Sequence, residues 1–288
     1  MKSFFPPKNH ILPEGVAFLR PRAYAPIACA SIADRPTHEE AAKALKNGKI
    51  VVWPMEAMPF GILKSLAQDY EDKIIPFAPL LAAPRFLHLE RAVRSGVLGE
   101  IATVTHYRTS GFQELEYDAL SLTLNDIAFI RRMFGRAAQV FATRAQASQN
   151  SLQTRGTDFL TACLALDNGM IANIICHVSS SLTDRFAFDY SGRKGNLVHS
   201  GDEGFTIAED RKPSLDESSG TEAALKELLL CIQDKSKPFY SVGEWLDDLD
   251  TIRAIRESAE AFSPRTLEPR ALEFHGTDPG FSAAQGVR

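Results

Sequence analysis

Gly15 is the only glycine in the first 47 residues of this 288-residue chain. A strand–turn–helix that lets backbone approach a phosphate group needs glycine at its turn, because only glycine lacks the Cβ that would stand in the way. The spacing G-x-G-x-x-G occurs nowhere in the chain. The N-terminal third must therefore fold without that cradle in its usual form.

Hydrophobic residues make up 44% of the chain and charged residues 24%, enough to build one or two domains with sizeable cores. The net charge of -4 and the absence of a basic run argue against nucleic acid as a partner. Cys29, Cys163, Cys176 and Cys231 are widely spaced, with no C-x-x-C, and read as buried reduced thiols. The first fifteen residues carry three prolines and no long apolar stretch, so they read as neither a signal peptide nor a membrane anchor. The expected location is the cytoplasm, with no metal site and no membrane partner.

The alternation of elements is informative. Gly15–Leu19 suits a short strand and Ile27–Ala33 a buried one. Thr37 caps a helix that stops at Gly48, Lys49–Trp53 reads as a strand, Ile62–Asp69 as a helix and Lys73–Phe77 as a strand. This is a β-α-β-α-β pattern, which implies parallel strands. A helix over Pro84–Ser95 closes it. Strands then dominate: Ile101–Thr109, Ala138–Ala145, Thr157–Leu166, Met170–Ser179, Phe186–Ser191 and Asn196–Ser200, broken by one helix over Leu122–Phe134. Asp167-Asn168-Gly169 and Gly192–Gly195 read as hairpin turns. Arg211–Gly220 reads as a surface loop, followed by helices over Glu222–Gln233 and Val242–Ala261. The fold class is thus α/β plus α+β, a parallel sheet followed by a mostly antiparallel open sheet with helices on one face.

Six motifs occur in one order: Pro84-Arg85-Phe86, Arg94–Ile101 (RSGVLGEI), Ile130–Gly135 (IRRMFG), Leu166–Met170, Tyr190–Leu197, and Lys237-Pro238-Phe239 with Asp247–Ser258. Together they resemble the glucose-fructose oxidoreductase, inositol dehydrogenase and MocA (Gfo/Idh/MocA) family from about Ile27 to Pro269. The resemblance implies the second half of a Rossmann-like domain at 25–83 and a C-terminal α+β domain at 84–269. Residues 1–24 are an irregular segment and 270–288 a tail. It also implies NAD(P)-dependent sugar chemistry, which the residues at the family's functional positions do not support. The substrate lysine falls on Met55, the catalytic histidine on Asn125 and the following aspartate on Ala128. Methionine carries no charge, and an amide is no general base. Asp126 lies about a hundred degrees from Asn125 around the helix and is a poor replacement.

The expected function is that of a Gfo/Idh/MocA-like protein without NAD(P) binding or dehydrogenase chemistry, serving as an oligomeric accessory or scaffold subunit or a small-ligand binder. Two alternatives stand beside it. One is an oxidoreductase on a sugar or cyclitol that holds NAD or NADP in a non-standard way. The other is a non-redox enzyme with His106, Tyr107 or His177 as acid or base. A polar pocket is expected from His106, Tyr107, Arg108, Asn125, Arg155 and His177. The strands Phe159–Leu166 and Ile171–Val178 are apolar on both alternations, which calls for cover on both faces. Self-association through that sheet, or pairing with a full-length homologous oxidoreductase, would supply it. Removal of the nucleotide half would leave an open edge, which residues 15–20 could cover with one more strand.

Overall fold

The computed structural model describes residues 16–18, 38–54, 60–78, 80–110, 119–145, 159–178, 182, 185–200, 205–207, 210–211, 221–234 and 237–268. The expected strand at Ile27–Ala33 lies outside them, as do Met55, Arg155 and residues 270–288.

Two sheets organise the chain. The first is parallel, in the order β1 (Val16–Phe18), β2 (Ile50–Pro54), β3 (Ile74–Phe77). Val16 pairs with Ile50 and Phe18 with Val52. The short N-terminal strand therefore sits directly beside β2, the place expected for Ile27–Ala33, and residues 1–24 are not wholly irregular. Strand alternation covers both faces. Val51, Trp53 and Ile74 face α1 (His38–Lys46) and α2 (Phe60–Tyr70). Val52, Ile75 and Phe77 face Ala224, Leu228 and Cys231 of a later helix, α6 (Thr221–Asp234). Both faces are dry, which is why these strands read as unbroken apolar runs.

Pro84 opens α3 (Pro84–Arg94), where its missing N–H costs nothing. The chain then enters a nine-stranded sheet. Its strands are β4 (Ile101–Ser110), β5 (Ala137–Ala145), β6 (Phe159–Leu166), β7 (Ile171–Val178), β8 (Arg185–Gly192), β9 (Gly195–Ser200), β10 (Phe205–Ile207), β11 (Asp210–Arg211) and β12 (Arg265–Thr266). The order is β11-β10-β9-β8-β4-β7-β6-β5-β12, and every pair is antiparallel except β4 with β7. The two expected hairpins join β6 to β7 and β8 to β9. The short β10, β11 and β12 are additions to the expected set, and β11 overlaps the expected loop only at Arg211.

One face of this sheet is covered by helices. The expected single helix is split at Thr123 into α4 (Ala119–Leu122) and α5 (Leu124–Phe134). α5 is buried around most of its circumference, and α7 (Val242–Ala261) lies beside it. A capping box starts α7: Glu244 N–H donates to Ser241 Oγ, and Ser241 N–H donates to Glu244 Oε2. Ser258 clips α7 to the sheet, because its hydroxyl accepts from Ala142 N–H at 2.9 Å and donates to Ser263 O at 2.7 Å. The core runs unbroken from the parallel sheet through α7 into the large sheet.

Gly135 terminates α5 with φ +107°, and a Cβ there would meet Asp167 Oδ1 at 2.6 Å. Gly135→Ala should lower stability by at least about 1 kcal/mol, through both the strained backbone and the clash. Denaturant unfolding measures this; an unchanged midpoint would show that the turn has relaxed.

Candidate functional site

Strand alternation decides which side chains of β4 meet the helices. Val104, His106 and Ser110 are buried, while Tyr107 is 45% exposed on the opposite face. Arg108, two residues from His106, lies on the same inner side. α5 crosses there with Asp126 in its first turn. The carboxylate accepts from Arg108 Nε at 2.9 Å through Oδ2 and from Arg108 Nη2 at 3.0 Å through Oδ1. His106 Nδ1 lies 3.1 Å from Asp126 Oδ1, and His106 Nε2 lies 2.8 Å from the Tyr190 hydroxyl on β8. An ionised carboxylate only accepts, so Nδ1–H donates to Asp126, while Nε2 hydrogen-bonds the Tyr190 hydroxyl.

The surroundings are aromatic and dry. Tyr190 stacks on His106 with centroids 5.7 Å apart, Phe186 meets it edge-on at 5.4 Å, and Phe129 and Phe188 lie within 6.3 Å. Arg108 also sits over the Phe186 ring at 4.9 Å. Burial by itself would raise the Asp126 pKa, but the Arg108 charge and the His106 hydrogen bond outweigh it and hold the carboxyl below its usual range. Burial and the Asp126 charge push the Tyr190 phenol well above its ordinary value, so it stays a donor.

A second buried group ties α5 to α7. Arg131 Nε donates to Asp248 Oδ1 at 2.6 Å, Arg131 Nη1 to Glu244 at 3.1 Å, and the Tyr240 hydroxyl to Asp248 Oδ2 at 2.7 Å. Arg131 belongs to the Ile130–Gly135 motif, three residues after Ala128.

These positions separate the expected pocket into two groups. His106, Arg108 and Asn125 lie on the helix-covered side, with Asn125 buried beside Asp126 in the first turn of α5. Tyr107 and His177 lie on the other side of the sheet. The register runs Phe159, His177, Thr109 across three strands, and His177 meets Phe159 edge-on at 5.7 Å. The five of these residues that are described therefore do not form one pocket, and His106 does not meet His177. His106 is fully buried, with both ring nitrogens engaged inside the core, which leaves it unable to serve as an acid or base toward a ligand in solvent. Ala128 is fully buried. Asp126 and Tyr190 are the residues that sequence reasoning missed. The available signal was the i, i+2 pair His106 and Arg108 on a strand facing a helix that carries an aspartate.

The fold is shared with several solved oxidoreductase structures. Among solved structures, the chain is similar to GenD2 from gentamicin A biosynthesis in complex with NAD, with a TM-score of 0.68, 15% identity, and 81% of this chain and 75% of that chain covered. It is similar to a levoglucosan dehydrogenase in complex with NADH and L-sorbose, with a TM-score of 0.68, 15% identity, and 81% and 78% covered. It is also similar to a myo-inositol dehydrogenase of Corynebacterium glutamicum, with a TM-score of 0.66, 17% identity, and 81% and 77% covered. Identities this low establish the fold alone. No known sequence family and no curated protein matches the chain.

Asp126→Asn should cost about 3 kcal/mol at neutral pH, because it strands the Arg108 charge in a mostly dry site. The native pKa is depressed, so the carboxylate's contribution is complete above about pH 4 and is lost as pH falls through the folded value. Unfolding curves of wild type and variant should converge on acidification. A gap that persists at low pH would contradict the ionic account.

Proposed function

We propose that this chain keeps the substrate-side architecture of a Gfo/Idh/MocA-type oxidoreductase without its nicotinamide chemistry. It serves as an oligomeric accessory or scaffold subunit that holds a small polar ligand. The observation that carries this reading is the composition of the segments that leave the parallel strands. In open α/β sheets a dinucleotide lies beyond the carboxyl ends of the strands, with its pyrophosphate against a glycine-rich turn. The stretches after β1, β2 and β3 (residues 19–37, 55–59 and 78–83) contain no glycine. They do not fit the group that GenD2 and the levoglucosan dehydrogenase hold.

The residues on the substrate side point the same way. Asn125 stands where the resemblance puts the acid–base histidine, and it can offer a ligand hydroxyl a hydrogen bond but no proton exchange. The nearby histidine, aspartate, arginine and tyrosine are committed to one another. Chemistry has been replaced by rigidity.

Association is the second half of the reading. Among the described residues, the side of the large sheet away from the helices exposes Tyr107, Phe141 and Val198 by 40–45%, with Phe159, Cys163, Ile171 and Ile175 half-buried between them. Such a surface is suited to a second copy of this chain or to a full-length homologous oxidoreductase. One observation favours the alternative of a nicotinamide enzyme with non-standard cofactor binding: the chain covers 75–78% of neighbours solved with NAD or NADH.

Two measurements test the proposal. Sedimentation equilibrium should find the chain as a dimer or larger, and Tyr107→Asp with Phe141→Asp should shift it toward monomer. Incubation with NAD or NADP and a panel of sugars and cyclitols should produce no reduced-nicotinamide absorbance. A monomeric wild type would remove the association claim, and turnover would restore the dehydrogenase reading.

A further inference from the structure

The side of the large sheet away from the helices carries little charge. On the six strands from β9 to β5, the register turns two charged side chains to that side, Arg185 and Asp189, both on β8. Charged residues make up 24% of the whole chain, so this face is depleted of them, as the centre of a protein contact is.

Asp189 is not answered within the chain. Its Oδ1 is shielded from solvent and takes no hydrogen bond from any described residue. Its register neighbours are Thr105 on β4 and Val198 on β9, neither of them charged. A carboxylate oxygen kept from water without a donor is costly, and a guanidinium is the donor that suits it best. Arg185 is exposed on the same face, but it lies four residues along the strand. At the rise of a strand that is about 13 Å, beyond the reach of its side chain.

Symmetry supplies what the single chain lacks. Arg185 and Asp189 stand two residues to either side of Ala187, and alternate residues share a face. A two-fold axis parallel to the sheet, perpendicular to β8 and passing over Ala187, exchanges the two positions. In such an isologous pair each Arg185 faces Asp189 of the second copy, and the contact is made twice. The same rotation brings Tyr107, which is level with Ala187, onto its own copy. It sets Asn173, level with Asp189, against His177, level with Arg185. One strand further, Cys163 comes against Phe159, small against large. No like charges meet on these strands. The match needs nothing that this chain does not already carry, whereas a full-length homologue would have to bring its own cation to the same point.

We propose that the partner on this face is a second copy of this chain, related by a two-fold axis over Ala187 that exchanges Arg185 with Asp189. The proposal rests on the association put forward above, and it fixes the partner and the register.

Sedimentation velocity of the full chain tests it. Arg185→Asp sets carboxylate against carboxylate at both contacts, and Asp189→Arg sets guanidinium against guanidinium. Each variant alone should therefore dimerise at least tenfold more weakly than wild type. Mixed in equal amounts they should form a heterodimer as readily as wild type, because both contacts are then opposite in charge. Asp189→Asn keeps the shape of the side chain and should remove most of the salt dependence of wild-type dimerisation. Circular dichroism of each variant checks that the fold is kept. Single variants that stay dimeric, a mixture that does not recover, or a salt dependence unchanged in Asp189→Asn would each overturn the register while leaving association through the sheet in place. A monomeric wild type would overturn both.

Discussion

A carboxylate in a protein core has to be neutralised where it sits, and Asp126 sets that requirement for this fold. It lies in the first turn of α5, buried against β4, with Arg108 and His106 on the strand answering it. Tyr190 completes the set by hydrogen-bonding the other ring nitrogen from β8. The network therefore pins one helix to two adjacent strands in a single register. Slippage of β4 by one residue would turn His106 and Arg108 to the open face and leave the aspartate without partners.

The same logic recurs between the helices. Arg131 and Asp248 join α5 to α7, and Tyr240 and Glu244 complete their hydrogen bonding. Burial raises the Asp248 pKa despite the arginine beside it, a shift opposite in direction to that of Asp126. The two clusters hold α5 at both ends of its length. Between them the helix is wrapped by apolar contacts, which explains a largely buried helix that carries charged residues at defined points.

Much of this fold was legible in the sequence because local signals agreed with tertiary ones. The hairpins at Asp167-Asn168-Gly169 and Gly192–Gly195, the Gly48 and Gly135 stops and the apolar runs of β2 and β3 each had a single local reading. The candidate site was less legible for a geometric reason. His106, Tyr107 and Arg108 are consecutive in sequence, yet strand alternation sends the middle one to the opposite side of the sheet. Asp126 looked unhelpful because it diverges from Asn125 on the helix, and that divergence is what directs it into β4. The 126–190 connection crosses three intervening strands, and no sequence spacing announces it. Val16–Phe18 took the place beside β2 because a three-residue strand needs only a matching edge, and neither its length nor its composition marked which edge that would be.

The central proposal is an oxidoreductase-like fold that works without nicotinamide chemistry. Calorimetric titration of the purified chain with NADH and NADPH up to about 1 mM tests this most directly, since a dissociation constant near that value still corresponds to about -4 kcal/mol. The account predicts no saturable heat from either nucleotide. One-to-one saturation would contradict it, and would mean that the glycine-free segments after β1, β2 and β3 hold a dinucleotide by other means.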